Sequence, residues 1–318
     1  MTEKKIKVLA VVGSTASGKS ALAVALAKAL DGEIVSCDSM QIYRRMTVGT
    51  AKPTPEEQEG VAHHLIDFVE PDRAFSCAEY VECAKQAVND IALRGKLPIL
   101  CGGTGLYLDA FLRGGGFEET ESDPAMREKL FAYADAHGNE ALHARLAEVD
   151  SESAEAIHPN NVKRVVRALE IYHTTGMTKT EADRRSREID SPYNATVIGL
   201  RYAERELLYE RIDRRVDLML EMGLLEETKS LLQEGVFEKN ATAAQAIGYK
   251  ELLGALRGEE SLDAAVESLK RATRRYAKRQ ITWFGAKDYV RWLDMTEAGQ
   301  PRPISAVLSD ALKIINGN

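Results

Sequence analysis

Gly13-Ser14-Thr15-Ala16-Ser17-Gly18-Lys19-Ser20 fits the spacing G-x-x-x-x-G-K-[ST]. A loop of this kind points successive backbone N–H groups at one spot, where a phosphate-type anion fits. Lys19 would add a point charge for the outer phosphates. Ser20 would offer a hydroxyl to a magnesium ion. A plain surface turn before a helix explains neither Lys19 nor the paired glycines.

Asp38-Ser39-Met40-Gln41 brings a carboxylate, which could hold magnesium, orient a nucleophile or take a proton. By itself such an Asp also suits a turn cap. Gly102-Gly103-Thr104-Gly105-Leu106-Tyr107 is glycine-dense with one hydroxyl, and a tight strand-to-helix turn would have the same composition. No run of apolar residues leads into Asp followed by Glu, which argues against a nucleic-acid-driven ATPase motor. His63-His64 has no cysteine or further histidine at ligand spacing, so a structural or loop-anchoring role is expected rather than a metal site.

The elements around these residues explain why they would meet. Ile6 to Val12 reads as a strand, and Ala21 to Leu30 as a helix following the loop. Glu33–Cys37 and Leu97–Cys101 read as further strands, with helical spacing between Ser76 and Arg94. This alternation predicts an α/β fold with a doubly wound parallel sheet, whose chemistry gathers beyond the strand C-termini. The phosphate loop, Asp38 and Thr104 all fall at that edge. After Arg113-Gly114-Gly115-Gly116 the pattern turns helical and charged, and strand alternation returns at Ala195–Leu200. The expected organisation is a core over 1–116, an all-helical insertion over 117–194, and a mostly helical second part of the core over 195–318.

Composition narrows the classes. The 318 residues carry a net charge of −7, so any binding to nucleic acid must come from local basic patches. Cys37, Cys77, Cys83 and Cys101 fit neither a zinc site nor a disulfide framework. The absence of a signal-like segment or a long apolar run points to a soluble, cytoplasmic chain with no membrane partner. Lys270, Arg271, Arg274, Arg275, Lys278 and Arg279 form neighbouring i, i+4 stripes on one predicted helix. Like charges at that spacing cost roughly 0.2–0.5 kcal/mol per pair. No acidic residue lies between 270 and 279, so a polyanion is the expected counterpart. Lys163, Arg164 and Arg167 form a second cluster, and Arg211, Arg214 and Arg215 a third.

Taken together, the motifs resemble the tRNA dimethylallyltransferases (tRNA isopentenyltransferases). The resemblance rests on the loop at 13–20, Asp38-Ser39-Met40-Gln41-Ile42-Tyr43, Gly49-Thr50-Ala51-Lys52-Pro53 and His63-His64-Leu65-Ile66-Asp67. It continues through Gly102–Tyr107, His158-Pro159-Asn160-Asn161 to Glu170, Ala246-Ile247-Gly248-Tyr249-Lys250-Glu251 and Lys278–Phe284. Ser14 stands where the family usually has Pro, and Ser20 where Thr is common. No cysteine follows Cys101, so the chain resembles the bacterial form without a C-terminal zinc finger.

The resemblance implies transfer of a dimethylallyl group from dimethylallyl diphosphate to N6 of the adenosine 3′ of the anticodon, with Mg²⁺ and a monomeric enzyme. Gly13 through Ser20 with Arg215 would hold the diphosphate, and Ser20 the metal. Asp38 would be the base toward N6, with Lys19, Thr104 and Arg215 as further catalytic groups. Asp38, Ser39, Met40, Gln41, Thr104, Arg127, Lys163, Arg164, Val165, Val166 and Arg167 would contact the tRNA anticodon stem-loop. Gln41 suits the N6/N7 edge of adenine. Other readings of the same loop are an adenylate isopentenyltransferase acting on free nucleotide, a small-molecule kinase, or an RNA-binding regulator with a vestigial phosphate site.

Overall fold

The computed structural model describes residues 5–114, 123–188 and 190–317. In chain order the first stretch holds β1 (Ile6–Gly13), α1 (Lys19–Leu30), β2 (Gly32–Ser36), the single turn α2 (Pro55–Gln58), β3 (His63–His64), α3 (Cys77–Leu93), β4 (Leu97–Gly102) and α4 (Gly105–Leu112). The middle stretch is helical: α5 (Pro124–His137), α6 (Asn139–Val149), α7 (Ser151–Ala156), α8 (Val162–Thr175) and α9 (Lys179–Glu188). The last stretch runs β5 (Tyr193–Arg201), α10 (Arg205–Glu221), α11 (Leu224–Gln233), the short α12 (Val236–Lys239) and α13 (Leu253–Leu256), α14 (Leu262–Gly285), β6 (Val290–Asp294) and α15 (Ile304–Asn316).

Contacts divide the chain into two compact units, Met1–Leu112 with Tyr193–Asn318, and Arg113–Pro192. The boundary expected between 116 and 117 lies outside the described residues.

In the larger unit six strands pair in parallel in the order β3-β2-β4-β1-β5-β6. The parallel pairing follows from the helical crossovers, which bury both faces of the sheet. Alternate residues of β1 feed separate cores: Val8, Ala10 and Val12 one side, Leu9 and Val11 the other. All five are almost fully buried, and each larger one contributes about 1.5–3 kcal/mol by leaving water. This is a doubly wound α/β fold with β1 beside β5, so the strand expected at Ala195–Leu200 returns next to the phosphate loop. The edge strand β6 was not foreseen; its five residues are short and only partly buried, a weak signal in sequence.

Local chemistry sets the ends of elements. Gly18 caps α1 with φ 93°, a left-handed conformation that L side chains resist. Ser76 and Glu79 form a capping box that starts α3. His64 Nε2 lies 2.7 Å from Glu33 Oε2, and Arg94 and Lys96 pair with the same carboxylate. Arg94 leads in holding the Glu33 carboxyl down to about 2. His64 thus anchors β3 to β2, the structural role expected of it.

The smaller unit has its own core of Leu130, Leu142, Leu146, Val165, Val166 and Leu169. Glu170 is fully buried there. Its carboxylate accepts from the Asp123 N–H at 2.9 Å, Arg127 Nε at 2.8 Å and Arg167 at 2.6 Å. Burial alone would raise the Glu170 pKa, but these donors hold it below its ordinary value.

Candidate active site

At the C-terminal edge of the sheet the larger unit encloses a cavity of about 270 Å³. Thr15, Lys19 and Ser20 reach it from the phosphate loop and α1. Ser36, Asp38, Ser39, Met40 and Gln41 come from the end of β2 and the turn after it, and Cys101 and Gly102 from the end of β4. Arg215 enters from α10, and Tyr276, Arg279 and Gln280 from α14. Parallel strands bring loops of distant sequence to one edge, and that is why these groups meet.

The loop is more committed to the protein than its pattern suggests. Gly13, Ser14, Ala16 and Ser17 are buried, and Gly18 is half-buried. The Thr15 N–H donates to Gln280 Oε1 at 2.7 Å, so this amide already has an acceptor. Arg211 Nε donates to Ala16 O at 3.0 Å. Lys19 Nζ donates to Ser14 O at 2.5 Å. Burial pushes Lys19 down to about 8; Cys101 and Asp38 pull it up, while Arg215 adds to the depression. Lys19 is half-buried over the whole residue, and it is the crowding around its ammonium that matters. Arg215 is also lowered, again mainly by burial. Two cations held at a desolvation cost are poised for an anion.

Asp38 sits in a tight turn. Its Oδ1 accepts from the Met40 N–H at 2.9 Å and the Gln41 N–H at 3.3 Å. Its Oδ2 makes no hydrogen bond among the described residues. Thr104 Oγ1 accepts from the Ser39 N–H at 3.1 Å and lies 3.4 Å from Ser39 Oγ. Thr104 itself braces this turn rather than lining the cavity. Tyr276 faces the same turn, and burial, followed by the Asp38 charge, pushes its phenol well up.

Gln41 does not present a free amide. Its Nε2 donates to Thr50 O at 3.2 Å and Ala51 O at 3.1 Å, and its Oε1 accepts from Ser36 Oγ at 3.2 Å. The bidentate reading of an adenine edge expected of it is therefore closed in this conformation. Val165 and Val166 differ from expectation as well: both are buried at 0% and 2% exposure, so their side chains serve the core of the smaller unit rather than an RNA-facing surface. Lys163 and Arg164, on the polar face of α8, are exposed. Arg127 and Arg167 spend donors on Glu170.

The basic helix α14 also divides. Lys270 pairs with Asp217 at 2.6 Å and Arg274 with Asp213 at 2.5 Å, so α10 supplies acids that the local sequence lacks. Arg271, Arg275 and Arg279 have no acidic partner among the described residues. With Lys250 they line a second cavity of about 220 Å³ beside the first.

Gln280, inside the Lys278–Phe284 motif, positions the phosphate loop, a part that the sequence alone does not assign to it. It is buried, its Oε1 takes the Thr15 N–H, and its Nε2 donates to Gly103 O at 3.0 Å. A Cβ at Gly103 would stand 2.0 Å from that Nε2, and one at Gly105 2.2 Å from Trp283 Cδ1. The glycine-dense turn is thus an imprint of α14. A polar residue on the buried stripe Ala277, Gln280, Phe284 was the available signal.

Comparison with known proteins decides the family. The IPP transferase family model matches residues 41–287. A tRNA dimethylallyltransferase from Bacillus pumilus is 49% identical over 296 residues, covering 93% of this chain and 92% of that protein. This chain belongs to the IPP transferase family. Solved structures agree with that family. A tRNA isopentenylpyrophosphate transferase from Bacillus halodurans is 44% identical, with TM-score 0.73, covering 98% of this chain and 96% of the other. A eukaryotic dimethylallyltransferase acting on tRNA is 30% identical, with TM-score 0.81, covering 98% of this chain and 80% of that one. The chain is accordingly a prenyltransferase, and its phosphate loop is that of a P-loop fold. No described helix is long and apolar enough to cross a membrane.

Proposed function

We propose that this chain transfers a dimethylallyl group from dimethylallyl diphosphate to N6 of the adenosine 3′ of the anticodon in tRNA, releasing diphosphate. The observation that carries this reading is one cavity lined by both Lys19 of the phosphate loop and Asp38. A group-transfer site needs an anion anchor and a proton acceptor within reach of one substrate pair.

In this reading the N6–C1 bond forms as the allylic C1–O bond breaks. Diphosphate leaves with the bonding electrons, and Asp38 Oδ2 takes the N6 proton. Asp38 Oδ1 stays bound to the turn, which fixes the carboxylate's direction. Lys19 and Arg215 offset charge growing on the leaving group. Loop N–H groups other than those of Thr15, held by Gln280, and Ser17, held by Ser14 O, complete the cradle. The adenine must leave its stack at a cost of a few kcal/mol, approximately, which is least in a single-stranded loop. Arg271, Arg275 and Arg279 supply unpaired positive charge beside the cavity for the RNA backbone, and Lys163 and Arg164 do so on the smaller unit.

The donor set suits Mg²⁺ delivered with the diphosphate. Ser20 offers a hard hydroxyl oxygen on the cavity wall, and the described residues hold no trio of His, Cys, Asp or Glu able to cage a metal. Mg²⁺ typically keeps waters and binds through phosphates plus one or two protein oxygens. When bound it would neutralise charge on the leaving diphosphate.

An RNA acceptor is favoured over free nucleotide by the names of the relatives and by the unpaired arginines. We place the enzyme in the cytoplasm, as a monomer. The test is nucleoside mass spectrometry after mixing the protein with unmodified tRNA, Mg²⁺ and dimethylallyl diphosphate. Prenylated adenosine in tRNA is expected. Prenylation of free adenylate alone, or phosphate transfer from ATP, would replace this reading.

A further inference from the structure

Glu227 lies on α11, outside the cavity lining, yet its carboxylate is fully engaged. Oε2 accepts from the Thr47 N–H at 3.0 Å and the Val48 N–H at 2.9 Å. Oε1 accepts from the Gly49 N–H at 3.0 Å and the Tyr249 hydroxyl at 2.7 Å. Four donors fill the four lone-pair sites of a carboxylate. Three consecutive amides in a segment without regular structure thereby find one charged acceptor. Tyr249 is fully buried, and a Cβ at Gly49 would stand 2.5 Å from its Cζ, so the glycine permits the approach.

The segment is closed on itself. Ala51 N–H donates to Val48 O at 2.9 Å and Lys52 N–H to Thr47 O at 3.1 Å. It forms a compact tab gripped by Glu227 at one end and anchored by Lys52 on Tyr43 O and Asp67 at the other. The tab's Thr50 O and Ala51 O are the two acceptors of the Gln41 amide, whose Oε1 in turn takes the Ser36 hydroxyl. Gln41 and Met40 donate their backbone N–H groups to Asp38 Oδ1. Hydrogen bonds, with short stretches of backbone between them, join Glu227 to the Asp38 turn. Gly49, Thr50, Gln41, Ser36 and Asp38 all line the cavity.

We propose that Glu227 is a positioning residue: by gripping the 47–49 amides it holds Gln41, and through Gln41 it fixes the direction of the Asp38 carboxylate. The catalytic part of this inference rests on the proposed function above. Without the grip, Gln41 loses a fixed pair of acceptors and the Asp38 turn slackens. A displacement of about 1 Å at a reacting group can cost on the order of 10²-fold in rate.

The test compares Glu227→Ala, Glu227→Gln and Tyr249→Phe, using single-turnover transfer, calorimetric binding of dimethylallyl diphosphate, and amide hydrogen exchange. Glu227→Ala is expected to slow transfer roughly 10- to 100-fold. Diphosphate affinity should stay within about twofold, because Lys19 and the loop at 13–20 lie off this run of bonds. Tyr249→Phe removes one donor of four and leaves the three amides gripped, so it should cost no more than about threefold. Glu227→Gln should fall between, since an amide nitrogen cannot accept from the Gly49 N–H. Exchange should speed up at Met40 and Gln41 as well as at 47–49. Transfer within twofold of the parent for Glu227→Ala overturns the proposal. So does exchange that rises at 47–49 while Met40 and Gln41 stay protected, which is what a purely structural role predicts. If Glu227→Ala does not fold, the Gln variant carries both readouts. If the parent protein itself shows no transfer, the proposed function fails, and the exchange data still decide whether Glu227 holds the turn.

Discussion

Gln280 Oε1 accepts the backbone N–H of Thr15 at 2.7 Å, across 265 residues of sequence. The same side chain donates to Gly103 O. One buried amide therefore ties the phosphate loop to the turn that carries Thr104, and both partners depend on it for hydrogen-bond satisfaction.

Gln280→Ala should thus leave the Gly103 carbonyl and the Thr15 amide without their partner. A loss of about 1–3 kcal/mol in unfolding free energy is expected, read from denaturant titration. Stability unchanged within about 0.5 kcal/mol would mean that water replaces the side chain at no cost.

Asp38→Ala should lower the transfer rate about 10²- to 10⁴-fold while tRNA affinity changes little. Rapid-quench single turnover is the measurement, and a rate within threefold of the parent would remove Asp38 from the role of base.

The Lys19 value near 8 predicts a pH dependence of diphosphate binding. The ammonium binds the anion in its protonated form, which dominates below pH 8. Affinity should be flat below that value and fall above it, by up to about tenfold per pH unit. Calorimetry from pH 6.5 to 9.5 checks this, and Lys19→Ala should both weaken binding and abolish the step.

Two arginines of the smaller unit should behave oppositely. Arg164 is exposed, so Arg164→Ala should leave stability unchanged and flatten the salt dependence of tRNA binding. Arg127 holds the fully buried Glu170. Its loss strands a buried charge that retains Arg167, so Arg127→Ala should cost about 2–4 kcal/mol in stability. Thermal melts beside filter-binding titrations separate the two effects.

Much of the site could be read from the chain because its parts are local. The loop from Gly13 to Ser20 sits between a strand and a helix, Asp38 follows β2 after a single residue, and Gly103-Thr104-Gly105 follows β4. Strand periodicity and glycine spacing report such features over a few residues. The rest was hidden because it depends on which helix lies beside which. The valines at 165 and 166 share a stretch with exposed Lys163 and Arg164, and only helix packing separates the faces. Lys270 and Arg274 looked unpaired until α10 brought Asp217 and Asp213 against them.

What the amino-acid order determined alone was the parallel α/β core, the anion loop and the acid after β2, since each arises from short-range backbone geometry. What only the tertiary structure decided was the commitment of individual polar groups. Gln41 turned inward, Gln280 bridged two loops, and Glu227 gripped a third, because a buried donor or acceptor must find a partner and the partner can lie anywhere along the chain.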